Sequence, residues 1–510
     1  MNRRGVAAGI VLGAWAIGLG VLVKREYFRP HLERLAEAAL RVSPGVVYYG
    51  VAQGDRQIGF ASSTIDTAAN TITTKDYLVA DIPVGGRTHR ATATTEIELT
   101  RTLRVRQFSV TLQGDAPPIR ATGRVDGDSL LVLAIASGND AKADTQRIRV
   151  DGPVLLPTLI PLAIALGEPP SIGKTYDLPM FDPVGMVTKQ TTFRVTAESS
   201  FVVQDSAVFD STAHRWIGVQ PATIKAWRIT GERGSTFSGW VDEQGRVMRT
   251  NQLGFDLQRL PYEVAFENWR IDERERGTKV TEDRDILETT AIAADKRLRG
   301  SLPTLRVRLS NVDLTGFDLD GDRQRLHGDT LTITREGDRA LAATYTLPMG
   351  GRRLLKSYTR PEPLIQVGNV EIVQLMTRIV GKETNPRVAA ERINRWLYDS
   401  LDKHLTFGVP NALEVLHARR GDCNEHTQLF VALARSAGIP TRIAAGLGLL
   451  DGKFYYHAWP EIYLNGWVAV DPTFGQFPAD AAHLRFTIGG LGRQADLLRL
   501  MGNLQIELLR

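Results

Sequence analysis

The chain has 510 residues, 43% hydrophobic and 23% charged, with 62 basic against 57 acidic side chains and a single cysteine. This is an ordinary globular composition with enough chain for about three domains. A net charge of +5 with no long Lys or Arg run gives no support for nucleic-acid binding, and one cysteine allows no intrachain disulfide.

Residues 5–23, from Gly5 to Val23, are uncharged and mostly apolar, flanked by Arg3 and Arg4 before and Lys24 and Arg25 after. At 1.5 Å per residue they make about 28 Å of helix, enough for one bilayer span. The stretch is long for a signal-peptide core, and no small-x-small cleavage site follows it. Residues 1–24 are therefore expected to be an uncleaved signal anchor. Basic residues on both sides leave the positive-inside rule undecided. The expectation is a single-pass inner (cytoplasmic) membrane protein with its bulk periplasmic. The stripe Gly5, Gly9, Gly13 is compatible with helix pairing but does not fix an oligomeric state. Residues 25–44 carry Leu32, Leu35, Ala36, Ala39 and Leu40 at helical spacing, a juxtamembrane helix ended by Pro44.

Residues 45–290 read as a large antiparallel β region. Ile97, Leu99, Leu103 and Val105 share one parity, Phe108, Val110 and Leu112 the other, which predicts a bulge or strong bend near Gln107. Gly54-Asp55, Asp126-Gly127 and Gln244-Gly245 are turn pairs. The stretches VVYYGVAQGDRQIGF and FSGWVDEQGRVMRT faintly resemble the large curved sheets of bacterial envelope proteins, a likeness that implies no function. The apolar run 154–166, interrupted by Pro157 and Pro161, is too short to span a bilayer and is expected to be a helical plug buried against the sheet. Residues 291–350 add short strands, and Asp318-Leu319-Asp320-Gly321-Asp322 between them reads as a polar hairpin turn, since its Gly and Glu spacing is not that of an EF-hand. Residues 351–384 read as a linker.

The next module, 385–490, carries the chemistry. Asn385-Pro386 opens a helix with Ala389, Ile393, Trp396, Leu397 and Leu401 on one face. Asn411 with Glu414, and Asp422 with Glu425, have capping-box spacing. The second box makes Cys423 the first residue of a helix that runs through Leu429, Phe430 and Leu433 and stops at Gly438 and Pro440. A thiol at a helix N-terminus is expected to have a lowered pKa. Residues 441–449 and 453–464 form a hairpin on Asp451-Gly452, with His457, Trp459 and Glu461 on one face. A two-residue turn at Asn465-Gly466 would put Asp471 on the opposite face, so a bulge or wider turn between Ala458 and Val468 is predicted. A thiol, an imidazole and a carboxylate are a nucleophile, its base and the group that orients the base. With one Cys and no Cys-x-x-Cys spacing, thiol chemistry is preferred to a metal site. His426 is expected to face a neighbouring helix or loop. No phosphate-binding glycine loop lies in a strand–turn–helix context, so no nucleotide cofactor is implied, and none of any kind is expected. Residues 491–510 are an apolar tail expected to pack on the body.

The stretches RRGDCNEHTQLFVALARSAGIPTRIAAGL and YYHAWPEIYLNGWVAVDPTFGQ, and more weakly ADAAHLRF, resemble the bacterial form of the transglutaminase-like (papain-like) superfamily. The resemblance covers roughly residues 385–490. It implies an α+β fold in which Cys423 attacks an amide carbonyl, His457 is its base and Asp471 orients His457. Animal-type transglutaminases have a tryptophan where this chain has Asn424, so the resemblance points to hydrolysis of a peptide or protein amide rather than to cross-linking. The whole chain is thus expected to be α+β: an N-terminal transmembrane helix, a large antiparallel β-rich region and a C-terminal transglutaminase-like domain. Acyl transfer to an amine and a non-catalytic scaffold are the alternatives.

Overall fold

The computed structural model describes residues 42–509 apart from short internal gaps, the longest at 276–284. The apolar stretch 5–23 and almost all of the juxtamembrane segment lie outside the described residues. Among the described residues, no helix is long and apolar enough to cross a membrane.

Between residues 45 and 260, alternating apolar positions and tight turns build one antiparallel sheet of fourteen strands, counted among the described residues. Eight strands step outward from Gly45–Gln53 to Asp144–Arg149. Six more step back from Thr175–Asp182 to Phe255–Leu260, which pairs with Gly45–Gln53. The connection between the two series holds the expected plug, a 3-10 turn at Pro157–Leu159 running into a helix at Ile160–Leu166. Leu159, Ile160, Leu162 and Ile164 are buried in one core with Ile72, Ile97, Leu131, Phe193 and Ile229 of the sheet. The bulge expected near Gln107 is present: Glu98 opposes Gln107 but Leu99 opposes Val105, which leaves Arg106 as the extra residue just after the hairpin turn that joins strands Arg87–Thr100 and Val105–Gln113. Leu103 takes φ +57 in that turn. Leucine is uncommon in the left-handed region, so no Gly or Asn marked the reversal in the sequence.

The C-terminal half is built on a second sheet. Its order is Ile292–Ala293, Lys453–Tyr463, Thr441–Leu450, His483–Ile488, with Trp467–Ala469 also on Lys453–Tyr463. The helices Val370–Val380, Pro386–Ser400, Ala412–Ala418 and Cys423–Ser436 cover it, each capped by a side chain that accepts a first-turn N–H: Asn369, Asn385, Asn411 and Asp422. Ile372, Ile393, Leu397, Phe430 and Leu433 share a core with Ile443, Ile462 and Val468 of the sheet. Residues 351–384 are therefore not a bare linker. The Val370–Val380 helix buries Ile372, Leu375 and Val380 in that core. Its cap lacks both the Pro that marked the Pro386–Ser400 helix and the third-position Glu that marked the Ala412–Ala418 and Cys423–Ser436 helices.

The 291–350 segment is also integrated with this half. Thr304–Ser310, Gln324–His327 and Thr330–Thr334 form a small sheet completed by the C-terminal strand Gln505–Leu509. Val307, Leu331, Ile506 and Leu508 pack with Ala445, Phe454 and Leu484 of the larger sheet. The acidic turn clamps the two together: Asp322 pairs with Arg442 at 2.5 Å and Arg485 at 3.3 Å, and Asp318 with Arg493 at 2.9 Å. The large β region meets the helices through Ser137 Oγ, which donates to Glu414 Oε2 at 2.8 Å.

Candidate active site

Cys423 is the first residue of its helix, as the capping box requires. Asp422 has extended backbone, its Oδ1 accepts the Asn424 N–H at 2.8 Å, and Glu425 Oε2 accepts the Asp422 N–H at 2.9 Å. Gly438 at φ +84 follows the helix end. The first turn docks on the edge of strand Lys453–Tyr463, between the stretches paired with Ile292–Ala293 and with Trp467–Ala469. There the N–H of Ala458 donates to the Cys423 thiol, and the Ala458 carbonyl accepts from Thr427 Oγ1 at 3.1 Å. Cys423 and Thr427 are one helical turn apart, and the two successive peptide groups that flank the Ala458 Cα hold them. The first of these joins Ala458 to His457.

His457 reaches this position because Asp451-Gly452 closes a two-residue turn, with φ +49 and +83, between Leu450 and Lys453. Its imidazole lies over Gly448, where an added Cβ would come within 3.1 Å of the His457 Cβ and ring. The second hairpin has the wider turn that was predicted. Tyr463 opposes Trp467, which leaves the three residues Leu464, Asn465 and Gly466 in the turn, and Glu461 opposes Ala469. Val470 N–H then donates to the Pro460 carbonyl at 3.0 Å. The register carries Asp471 opposite Trp459 and onto the face of His457. His457 Nε2 lies 2.7 Å from Asp471 Oδ2. The imidazole is stacked between Phe474, 4.7 Å away and nearly parallel at 9°, and Trp459 at 5.9 Å.

Sequence reasoning missed a second imidazole. His483 Nε2 lies 2.8 Å from the same Asp471 Oδ2, and its Nδ1 lies 3.1 Å from Asp480 Oδ1. Asp471 Oδ1 accepts the N–H groups of Thr473 at 2.7 Å and Phe474 at 3.0 Å. Asp471, His483 and His457 are 0%, 2% and 4% exposed, so this is a buried polar network. The run ADAAHLRF contains both Asp480 and His483, and their three-residue spacing was the available signal.

The electrostatics reverse one expectation. Burial, and then the Asp422 carboxylate, push the Cys423 thiol well above its ordinary value, against the Ala458 N–H that favours the thiolate. The helix N-terminus alone would have lowered it. Burial also works to raise Asp471, but the His457 and His483 imidazoles hold that carboxyl well below the usual range. Burial works to lower His483, and hydrogen bonds to Asp471 and Asp480 more than offset it, so the net direction is up. Asp422 is raised by burial and by the neighbouring Glu425. His426 turns back onto its own helix, with Nδ1 2.7 Å from the Asp422 carbonyl.

His457, Asp471 and His483 are the group among the described residues whose ligand atoms lie close enough to hold a metal, within 4.8 Å of one another. Their N–O separations are already hydrogen-bond distances, and Asp471 Oδ1 is taken by backbone amides. Every one of those atoms is satisfied without an ion. What the arrangement offers chemically is a thiol hydrogen-bonded to the residue after His457, and a His457 imidazole whose Nε2 is committed to a carboxylate. Nδ1 is then the ring nitrogen left to accept a proton.

Residues 373–472 match the transglutaminase-like superfamily, so the chain carries a transglutaminase-like domain. Among curated proteins, an uncharacterized protein of Haemophilus influenzae is 32% identical over 160 residues, covering 26% of this chain and 42% of its own length. The chain thus spans less than half of that relative. Among solved structures, one from Cytophaga hutchinsonii described as a candidate cysteine protease is 17% identical, with a TM-score of 0.28 over 40% of this chain and 81% of that one. A β-barrel-like protein of Brucella abortus, from a domain family of unknown function, is 12% identical, with a TM-score of 0.30 over 43% of this chain and 97% of that one.

Proposed function

We propose that the chain is a membrane-anchored, cysteine-dependent amide or peptide hydrolase that acts through a thioester. The observation that carries this reading is the buried His457–Asp471 pair, 2.7 Å apart, one peptide group from the point where Ala458 N–H holds the Cys423 thiol. Cys423 is the nucleophile, His457 the base and Asp471 the group that orients it. His457 Nδ1 takes the thiol proton as Sγ adds to the amide carbonyl, and the resulting oxyanion lies at the Cys423 backbone N–H, a first-turn donor with no intrahelical partner. Collapse breaks the C–N bond, and His457 returns its proton to the leaving amine. Water, deprotonated by His457, then attacks the thioester and releases the acid. Because the resting thiol is raised, the proton transfer accompanies attack rather than preceding it. In this reading residues 5–23 anchor the protein in the inner membrane with its body in the periplasm, supported by the length and lack of charge of that stretch.

The test is a panel of peptide amides incubated with the full chain, followed by mass spectrometry. Cleavage that adds one water and disappears in Cys423→Ala supports hydrolysis. Products that carry an added primary amine in place of water would assign the same centre to acyl transfer. No turnover and no Cys423 adduct with any amide would leave the domain as a scaffold.

A further inference from the structure

We propose that His483 is a positioning residue for the thiol centre, clamping Asp471 through the same carboxylate oxygen that receives His457. The inference rests on the reading of Cys423, His457 and Asp471 given above. A carboxylate held by one imidazole can rotate and release it. Asp471 cannot, because Thr473 and Phe474 N–H hold Oδ1 while His457 and His483 hold Oδ2. Four donors occupy the acceptor sites of an ionised carboxylate. With Asp471 fixed, His457 keeps its proton on Nε2 and presents Nδ1 as an acceptor.

The clamp also carries charge. Both nitrogens of His483 face carboxylate oxygens, Asp471 Oδ2 at 2.8 Å and Asp480 Oδ1 at 3.1 Å. An imidazole that meets two acceptors must donate from both nitrogens, which is the imidazolium form. The charged groups facing it are Asp471 and Asp480, then Arg323, which opposes its charge and whose Nη2 donates to the Asp480 carbonyl at 2.6 Å. His457 lies across from it, ring centre to ring centre 5.4 Å. Burial and Arg323 work against the cation and the two carboxylates favour it, with the net in favour. A cation at His483 compensates Asp471, so Asp471 can orient His457 without trapping it as an imidazolium. A base has to be neutral before it can accept a proton.

The experiment uses the full chain with 15N-labelled histidine, beside iodoacetamide alkylation of Cys423, the only thiol. His483 is expected to keep both ring N–H protons from about pH 5 to 8. The alkylation rate at pH 7 should fall about tenfold in His483→Ala, which loses the donor, and return to within about threefold of the parent in His483→Gln, whose amide still donates. A His483 ring that loses a proton below neutrality in the parent chain would overturn the proposal, and that measurement requires no variant to fold. Unchanged Cys423 rates in both variants would do the same. Equal alkylation of the parent and His457→Ala is a separate outcome, which would remove the underlying reading of the triad.

Discussion

Asp471 has no solvent and four hydrogen-bond donors, and its surroundings dictate a pH dependence. Its depressed carboxyl contributes stability that is present above the unfolded value of about 3.9 and is lost as pH falls through the folded one. Asp480 behaves likewise, lowered by His483 against the opposing effect of burial. His483 is raised, so its contribution is complete below about 6.5 and fades as pH rises through its folded value. The cluster therefore stabilises the fold most between about pH 4 and 6.5. Thermal unfolding against pH should show this optimum, and Asp480→Asn should weaken its alkaline side. A flat profile unaltered by Asp480→Asn would contradict the charge assignment. At Cys423 the neighbouring carboxylate opposes the thiolate. Asp422→Asn keeps a good N-cap and removes that charge, so the apparent pKa for Cys423 alkylation should fall with helicity unchanged. A rise would mean that Asp422 acts on the thiol through something other than its charge.

At the scale of elements, one hairpin turn decides whether the centre exists. Three residues, Leu464 to Gly466, set Asp471 on the face of His457, whereas two would set it on the other. Deleting Asn465 should therefore leave Trp467 and Val468 paired out of phase and abolish the His457-dependent part of Cys423 alkylation. Retention of that dependence would show that the strand re-registers. The helix is held to the same strand by Thr427, and Thr427→Val should cost about 1 kcal/mol, read as a lowered midpoint in urea. These elements were the most legible in the sequence, because capping boxes, Asp-Gly and Asn-Gly act locally. The parity conflict around Asp471 could be found by counting. For His483 the sequence offered only its spacing from Asp480, because nothing local ties a strand that begins at 483 to a carboxylate at 471. Leu103 hid a turn by occupying a conformation for which glycine is the usual signal.

Across the whole molecule, the apolar segment after residue 490 packs on the body as expected, and its last strand completes a sheet, which the sequence did not indicate. Gln505–Leu509 pairs with Thr304–Ser310 and buries Ile506 and Leu508 against the core beneath the thiol sheet. Truncation after Leu504, which removes Ile506 and Leu508, should cost about 3 to 6 kcal/mol, at about 1.5–3 kcal/mol for each buried aliphatic side chain, and lower the melting temperature of the full chain. An unchanged melting temperature would mean that the small sheet stands without its last strand. The β region was legible as antiparallel with a buried plug, because strand alternation and the apolar run 154–166 are written in single segments. Its strand order was not, since residues 54–254 intervene between the paired strands Gly45–Gln53 and Phe255–Leu260.

The most direct test of the central claim is a burst measurement on the full chain with a p-nitrophenyl ester as acyl donor. The account predicts about one equivalent of nitrophenol released per chain, with the acyl group on Cys423 by mass spectrometry. The burst should be absent in Cys423→Ala and slowed in both His457→Ala and Asp471→Asn. Release at the same rate in the parent and in His457→Ala, or an acyl group carried on any residue other than Cys423, would contradict it.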